Sequence, residues 1–375
     1  MSKIRVLVVD DSLFMRRMMS DLLAQDSDIE VVGTARDGQQ GLEMTRQLKP
    51  DVITLDVEMP VMDGVAMLQQ LMKEQPTPVV MVSSLTRAGA EITLRCLELG
   101  AIDFVTKPSG AISLDLYKVS SQIIEKVKAA ARTPRHRLTA LSPALDARGS
   151  EEKQRLVGVS PTQPNELATR GPSATFSKTK ELPLVVIGAS TGGPRALSLL
   201  MSQLPPDFHA PMLLVQHMPE GFTRSLAERL NRLSHLQVRE AQESDRLQPG
   251  VAYLAPGGRH LQLLSGGRLH LSEEPPLHGV RPAVDITLLS IAQNYSGNVV
   301  VAILTGMGND GAMGVRALHA KGARILAEDE RSCIVFGMPR AAIQTGCVHQ
   351  IAPLEQMAQR ITEEVQRLCK PHQAA

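Results

Sequence analysis

Apolar residues recur along the first third of the chain in two alternating patterns. Five short runs are almost continuously apolar, namely IRVLVV, IEVVGTA, DVITLDV, PVVMVSS and DFVTKP. The stretches between them carry apolar residues at helical spacing, which in the first stretch are Phe14, Met15, Met18, Met19, Leu22 and Leu23. Strands that are apolar throughout, separated by amphipathic helices, predict a buried parallel sheet with helices on both faces.

The same alternation returns at Leu182 and continues to the end of the chain. The apolar runs here are LPLVVIGAS, APMLLVQHM, GVAYLAP, RLHLSEE, NVVVAILTGMG, ARILAED and CVHQIAP. A final helix is predicted to have one apolar side, formed by Leu354, Met357, Ala358, Ile361, Val365 and Leu368. This pattern predicts a second, mostly parallel α/β domain.

Residues 129–181 interrupt the alternation. Prolines, serines and charges are scattered through this segment without a sustained apolar period, which is typical of a flexible interdomain linker. The predicted fold class is therefore α/β, with two doubly wound, mostly parallel-sheet domains joined by a long linker. The predicted boundaries are 1–128, 129–181 and 182–375.

Composition narrows the functional classes. The 375 residues are 43% hydrophobic and 21% charged, with a formal net charge of +1, so no strong field favours nucleic acid or a membrane surface. No apolar run reaches ~18 residues, so no membrane insertion is predicted. The start MSKIRVLVVDDS lacks a signal peptide's apolar stretch, and Cys96, Cys333, Cys347 and Cys369 form no CxxC pair. A cytoplasmic protein is the simplest interpretation.

Charged and polar residues follow the strands of the first domain, where ligands of such sheets bind. The first strand ends in Asp10 and Asp11, the third in Asp56, the fourth in Ser83 and the fifth in Lys107. Three carboxylates at one sheet edge suit Mg²⁺. With a neutralising lysine they predict an aspartate that accepts a phosphoryl group. The alternative is that Asp10 and Asp11 only cap the first helix.

The run VVIGASTGGPRAL, residues 185–197, places a serine between an apolar strand and a predicted helix. Ser190 is a candidate nucleophile, since His217 and Asp310 also follow predicted strands and could activate it. The order serine, histidine, aspartate disfavours the α/β-hydrolases, although GASTG matches their short motif. The alternative is that this strand-to-helix turn binds a phosphate at the N-terminus of the helix.

Rival classes depend on the same residues. One rival is a pure binding module, in which Ser190 would have no chemical role. Another is a nucleotide-dependent oxidoreductase, which would need a bound cofactor. GMGNDG matches the G-x-G-x-x-G dinucleotide-binding motif only loosely and does not establish one. No zinc site is predicted in the second domain, because five further histidines show no HxH or HxxxH spacing; they are His235, His260, His270, His278 and His319.

The motifs VVDDS, DVITLDVEMPVMDG, VSS and DFVTKP resemble the response-regulator receiver domain, which has a flavodoxin-like fold. The resemblance implies that Asp56 is phosphorylated by a partner histidine kinase of the CheA type. It also implies that Asp10, Asp11 and Asp56 hold Mg²⁺. The implied switch residues are Ser83, Lys107 and Phe104, the last standing where many receivers carry a tyrosine that turns inward on activation.

The motifs IGASTGGPRAL, LLVQHMPEGF, YLAPGGRHL, VRPAVDITL and LTGMGNDGAMG closely resemble the chemotaxis protein-glutamate methylesterase family, CheB, with a Rossmann-like catalytic domain. The resemblance implies a triad of Ser190, His217 and Asp310. It further implies that the Met307 N–H donates to the oxyanion and that Thr191 helps to orient the histidine. VRPAVD matches a family motif whose role the sequence does not reveal.

The implied function is a phosphorylation-activated serine esterase of chemotaxis adaptation. It would remove methyl groups from glutamate γ-methyl esters of chemoreceptors, releasing methanol, and deamidate receptor glutamines. Mg²⁺ would serve phosphorylation in the receiver, and the esterase reaction would need no cofactor. The chain departs from the family pattern in its long linker and in Gly258.

Overall fold

The computed structural model describes residues 3–107, 114–139 and 183–369. The strands of the first domain are β1 Ile4–Val9, β2 Ile29–Ala35, β3 Val52–Asp56, β4 Val79–Ser83 and β5 Asp103–Thr106. Its helices are α1 Leu13–Ala24, α2 Gly38–Leu48, α3 Gly64–Glu74, α4 Arg87–Glu98 and α5 Leu114–Ala131. The sheet is parallel throughout, in the order β2–β1–β3–β4–β5, so the predicted fold class is confirmed for this domain.

Side-chain caps start four helices of this domain. Ser12, Asp37, Asp63 and Thr86 each accept a hydrogen bond from the backbone N–H three residues later. Such caps satisfy donors that the first turn leaves without partners. Ser12 therefore caps α1, and the alternative in which the preceding aspartates serve only as its cap is wrong.

The second domain is built on a seven-stranded parallel sheet in the order β14–β13–β12–β6–β7–β9–β8. Its strands are β6 Leu184–Ala189, β7 Met212–Gln216, β8 Gln237–Glu240, β9 Val251–Leu254, β12 Val299–Ile303, β13 Arg324–Glu328 and β14 Gln350–Ala352. An antiparallel hairpin joins β10 His260–Leu264 to β11 Arg268–Ser272. The mostly parallel second domain is thereby confirmed.

Helices cover this larger sheet. They are α7 Gly193–Gln203, α8 Phe222–Leu233, α9 Val284–Asn294, α10 Ala312–His319, α11 Met338–Gln344 and α12 Leu354–Cys369. The chain leaves β6 towards β7 on one side and later returns to β12 on the other. This reversal creates a crevice at the carboxyl ends of β6 and β12, where ligands of doubly wound sheets bind.

The predicted helix faces match the burial, with one exception. On α1, Met15, Met19, Leu22 and Leu23 are buried, whereas the Phe14 side chain is 68% exposed. On α12, five of the six predicted apolar residues are buried and Leu368 packs beside them. Phe14 therefore lies outside the core that the helical spacing predicts for it.

The predicted boundary at residue 128 lies inside α5, which continues to Ala131. A short helix, α6 His136–Thr139, follows within the predicted linker. The flexibility predicted for the linker beyond residue 139 falls outside the described residues. Within the described ranges, no helix is long and apolar enough to cross a membrane.

Candidate functional site

The first domain gathers its strand-end carboxylates into one cluster. Ligand atoms of Asp10, Asp11 and Asp56 lie within 4.8 Å of one another. Lys107 Nζ donates to Asp56 Oδ2 at 2.7 Å and lies 3.4 Å from Asp10 Oδ2. Asp10 Oδ2 is buried without a hydrogen-bond partner among the described residues. A buried carboxylate oxygen without a donor, beside two further carboxylates, fits a divalent cation such as Mg²⁺.

The protonation of this cluster depends on burial and on Lys107. Burial raises the pKa of Asp56 to about 6, although the hydrogen bond from Lys107 acts in the opposite direction. Burial also raises the pKa of Asp10. Burial alone would lower the pKa of Lys107, but the hydrogen bond and charge of Asp56 raise it. Lys107 is thus the cation that keeps Asp56 available as a carboxylate.

The two other predicted switch residues lie on β4 and β5, the strands that follow β3 in the sheet. Ser83 is fully buried and accepts a hydrogen bond from the Thr93 hydroxyl at 2.7 Å. Phe104 is buried too, and its ring stacks on Phe222 of the second domain with centroids 4.5 Å apart. The position predicted for an activation switch is therefore also a contact between the domains.

Ser190 lies in the turn between β6 and α7. Its N–H donates to the Thr305 carbonyl, and its carbonyl accepts the Gln216 side-chain amide at 2.9 Å. Gly192 has a left-handed backbone, φ +79°, and a Cβ there would clash with Ile334. Glycine is therefore required at position 192, where the turn packs against Ile334.

His217 and Asp310 meet beside this turn. His217 Nε2 lies 2.7 Å from Asp310 Oδ2, and both side chains are more than nine-tenths buried. This bond leaves Nδ1 as the imidazole nitrogen that could take a proton from Ser190. Among the described residues, no hydrogen bond joins the Ser190 hydroxyl to the ring, and such bonds are often long before substrate binds.

Backbone donors hold the Asp310 carboxylate. Oδ2 accepts the Val284 N–H at 2.7 Å and Oδ1 accepts the Asp285 N–H at 2.9 Å, both at the start of α9. Burial acts to raise the pKa of Asp310, but the hydrogen bond and charge of His217, with these two N–H groups, lower it overall. Asp310 therefore stays ionised and can stabilise an imidazolium on His217.

Ser190, His217 and Asp310 line one cavity of 680 Å³, and Met307 and His278 line it too. Among the described residues, nothing accepts the Met307 N–H, whereas its neighbour Gly306 is held by bonds to Val335, Gly337 and Met338. This arrangement leaves the N–H predicted to bind an oxyanion available in a fixed loop.

The predicted orienting residue Thr191 lies elsewhere. Its hydroxyl donates to Asp103 Oδ2 of the first domain and is not bonded to His217. Asp103 in turn accepts a hydrogen bond from Lys126 at 2.9 Å. The residue next to Ser190 is therefore tied to the sheet of the other domain.

The first domain also forms one wall of the cavity. Three residues of α5 line it, namely Glu125, Lys128 and Ala129, together with Arg132 just after the helix. Nearby, the Arg137 side chain donates to the Cys333 carbonyl at 2.6 Å. At the other end of the interface, ion pairs join Arg229 to Glu98 and Arg87 to Glu228. Access to Ser190 thus depends on where the first domain lies.

Several residues of the site escaped the sequence reasoning. Gln216 and Thr305 bond to the Ser190 backbone, and no pattern in the sequence signalled this. The VRPAVD motif included Asp285, but the sequence did not signal that Asp285 pairs with His278 at 3.1 Å beside Asp310. Ligand atoms of these three residues cluster within 4.8 Å, but the carboxylates already accept backbone N–H groups. This donor set suits hydrogen bonding rather than a cation.

Fold and site define a class: a two-domain α/β protein with a carboxylate cluster in one domain and a serine, a histidine and an aspartate in one cavity of the other. Residues 6–116 match the response regulator receiver domain, and residues 185–361 match the CheB methylesterase family model. The resemblance inferred from the motifs is therefore confirmed.

Curated relatives match along nearly the whole chain. A protein-glutamate methylesterase/protein-glutamine glutaminase of Symbiobacterium thermophilum is 49% identical, covering 96% of this chain and 97% of the relative. One from Halalkalibacterium halodurans is 46% identical over 98% and 99%. The chain belongs to the protein-glutamate methylesterase/protein-glutamine glutaminase family. The Thermotoga maritima CheB methylesterase catalytic domain is 42% identical, covers 48% of this chain and 98% of its own, and has a TM-score of 0.47.

Proposed function

We propose that this chain is a phosphorylation-activated protein-glutamate methylesterase that also deamidates protein glutamines. The observation that carries the proposal is the 2.7 Å bond between His217 and Asp310 in the cavity that Ser190 lines. The substrates are γ-methyl esters of glutamates on chemoreceptors, and the reaction takes place in the cytoplasm. A CheA-type histidine kinase supplies the phosphoryl group.

In the proposed mechanism, Ser190 attacks the ester carbonyl while His217 Nδ1 takes its proton. Asp310, held by two backbone N–H groups, keeps the ring oriented and stabilises the imidazolium. The Met307 N–H donates to the oxyanion, and one such donor is typically worth roughly 10²–10³ in turnover. Methanol leaves with the proton from His217, and a water activated by the same histidine then releases the glutamate.

A glutamine side chain follows the same path, with ammonia as the leaving group. Because an amide leaves less readily than an alkoxide, the ester is expected to react faster.

In the proposed regulation, the unphosphorylated receiver restricts access to Ser190. The α5 wall of the cavity and the Phe104–Phe222 stack support this proposal. Asp10, Asp11 and Asp56 would hold Mg²⁺, which shields the charge of an incoming phosphoryl group. Phosphorylation of Asp56 would engage Ser83 and Lys107 and change the interface at Phe104.

The decisive experiment measures methanol release from methylated receptor membranes by wild type and Ser190→Ala, each with and without a small-molecule phosphodonor and Mg²⁺. Release that requires Ser190 and rises with the phosphodonor is expected. Equal release by Ser190→Ala would contradict the esterase and favour a binding module.

A second comparison tests the regulation separately. The fragment 182–375 is expected to release methanol faster than the unphosphorylated full chain. A fragment that is no faster would rule out inhibition by the receiver while leaving the esterase intact.

A further inference from the structure

The catalytic cavity contains a second imidazole–carboxylate pair that the proposed triad chemistry does not use. His278 Nε2 lies 3.1 Å from Asp285 Oδ2, and the His278 side chain, 30% exposed, lines the same cavity as Ser190. Asp285 is fully buried, and its Oδ1 accepts the Gly314 N–H at 2.8 Å. One end of the pair therefore faces the cavity and the other is anchored in the protein interior.

The pair contacts the proposed triad through Asp310. The Asp285 N–H donates to Asp310 Oδ1 at 2.9 Å, while Asp310 Oδ2 is bonded to His217. Ligand atoms of His278, Asp285 and Asp310 lie within 4.8 Å of one another. Two adjacent buried carboxylates, each with its own imidazole, thus link His278 to His217.

The backbone at His278 is also unusual. Its φ of +54° lies in the left-handed region that residues other than glycine seldom adopt. A tight turn holds it there, because the Val280 N–H donates to the Leu277 carbonyl. A histidine kept in this conformation inside a catalytic cavity is a feature that functional sites retain.

The charges on Asp310 and Asp285 indicate what the His278–Asp285 pair does. Asp310 has to carry its charge alone while His217 gains a proton, but an ionised Asp285 would add a second negative charge beside it. A proton shared between His278 and Asp285 cancels that charge. We propose that the His278–Asp285 pair holds one proton next to Asp310 and thereby sets the pH above which His217 works as a base.

His278 and Asp285 act on His217 through Asp310 and are therefore positioning residues. The inference rests on the proposed serine hydrolase function. Other charged groups line the cavity from both domains: Glu125, Lys128, Arg132, Arg137, Glu330 and Arg340. His260, under α9, accepts the Ala283 N–H, and Arg281 donates to the carbonyls of Glu273 and Glu274. These groups stay unchanged in every variant below.

The test follows the pH dependence of two reactions of the full chain, with phosphodonor and Mg²⁺ present. One is labelling of Ser190 by a fluorophosphonate probe, and the other is methanol release from methylated receptor membranes. His278→Gln leaves Asp285 charged, so the acid-side midpoint is expected to rise by roughly 0.5–1 pH unit. Asp285→Asn leaves no net negative charge beside Asp310, as the shared proton does in the wild type, so the midpoint is expected to stay close to the wild-type value. The double variant is expected to return close to wild type.

A matched control is His235→Gln, because His235 is exposed on the second domain; its midpoint is expected to stay at the wild-type value. Thermal melts followed by circular dichroism identify any variant that fails to fold. Slower labelling at every pH without a shifted midpoint would show a merely structural role and overturn the inference. Absence of Ser190 labelling in the wild type would instead contradict the proposed function itself.

Discussion

The two domains place their functional carboxylates at the same position, the carboxyl edge of a parallel sheet, but hold them differently. Asp56 is bonded to a side-chain cation, Lys107, at 2.7 Å, and burial raises its pKa to about 6. Asp310 is bonded to two backbone N–H groups and to His217, and its pKa is lowered. A lysine can be shared with an incoming phosphoryl group, whereas backbone donors cannot move. The arrangement around Asp56 suits a carboxylate that is modified and released, and the arrangement around Asp310 suits a carboxylate that stays ionised throughout.

Glu328, at the end of β13, shows that neutral hydrogen-bond donors do not by themselves hold the pKa of a buried carboxyl low. It is fully buried and accepts hydrogen bonds from the Thr305 N–H and the Ser332 hydroxyl. Burial nevertheless raises its pKa to about 7. The difference from Asp310 is the hydrogen bond from the adjacent imidazole, since among the described residues Glu328 has neither an imidazole nor a cation as its partner.

The largest effect is expected from loss of the Asp310 carboxylate, which is bonded to His217. Asp310→Asn keeps the shape of the side chain but cannot stabilise the imidazolium on His217, so turnover should fall by about 10³–10⁴-fold. Steady-state methanol release measures it, with the exposed Asp207→Asn as control. A loss of less than tenfold would show that Asp310 is not part of the reaction.

Glu328→Gln removes the ionisable group from this position and keeps a side chain of similar shape. The folded pKa of about 7 exceeds the ordinary 4.5, so the folded state binds more protons and stability falls as pH rises between these values. Glutamine removes this dependence, so at pH 8 the variant should be more stable by roughly 3 kcal/mol, with little difference at pH 4.

Denaturant unfolding of the second domain at both pH values measures this difference. The exposed Glu363→Gln serves as control. Parallel stability curves for wild type and Glu328→Gln across this range would refute the assigned ionisation.

Lys107→Met tests how far the hydrogen bond from Lys107 determines the pKa of Asp56. Without the cation, the pKa of Asp56 should rise further above 6, by about one pH unit or more. Carboxyl ¹³C NMR titration without Mg²⁺ reports it, and addition of Mg²⁺ should move the wild-type midpoint to lower pH. Lys73→Met, on α3, is the control. An unchanged Asp56 midpoint in Lys107→Met would mean that the 2.7 Å bond contributes nothing to ionisation.

The smallest effect is expected at an exposed ion pair between the domains. Arg87 and Glu228 lie 3.2 Å apart, with side chains 65% and 37% exposed. Because such pairs are screened by water, Arg87→Gln should cost below about 0.5 kcal/mol of unfolding free energy. Thermal unfolding measures it, and a loss as large as that expected for a buried contact would place the pair among the determinants of the interface.

Much of the fold could be predicted because its strands are apolar throughout and its helices amphipathic. The structure has strands in all twelve predicted apolar runs. Two further strands were missed: β8 is only Gln237–Glu240 at a sheet edge, and β10 lies in a hairpin outside the parallel sheet. Neither carries the continuous apolar pattern of a buried strand, and for this reason the sequence did not signal them.

The sequence by itself determined which residues follow strands and therefore lie at a sheet edge: Asp10, Asp56 and Lys107 in one domain, Ser190 and His217 in the other. Only the tertiary structure decided which imidazole nitrogen faces Asp310, that the Thr191 hydroxyl reaches Asp103, and that His278 and Asp285 form a pair. These contacts depend on β12 lying beside β6 and on the packing of one domain against the other. Local periodicity carries no information about such contacts, because they join residues far apart in the chain.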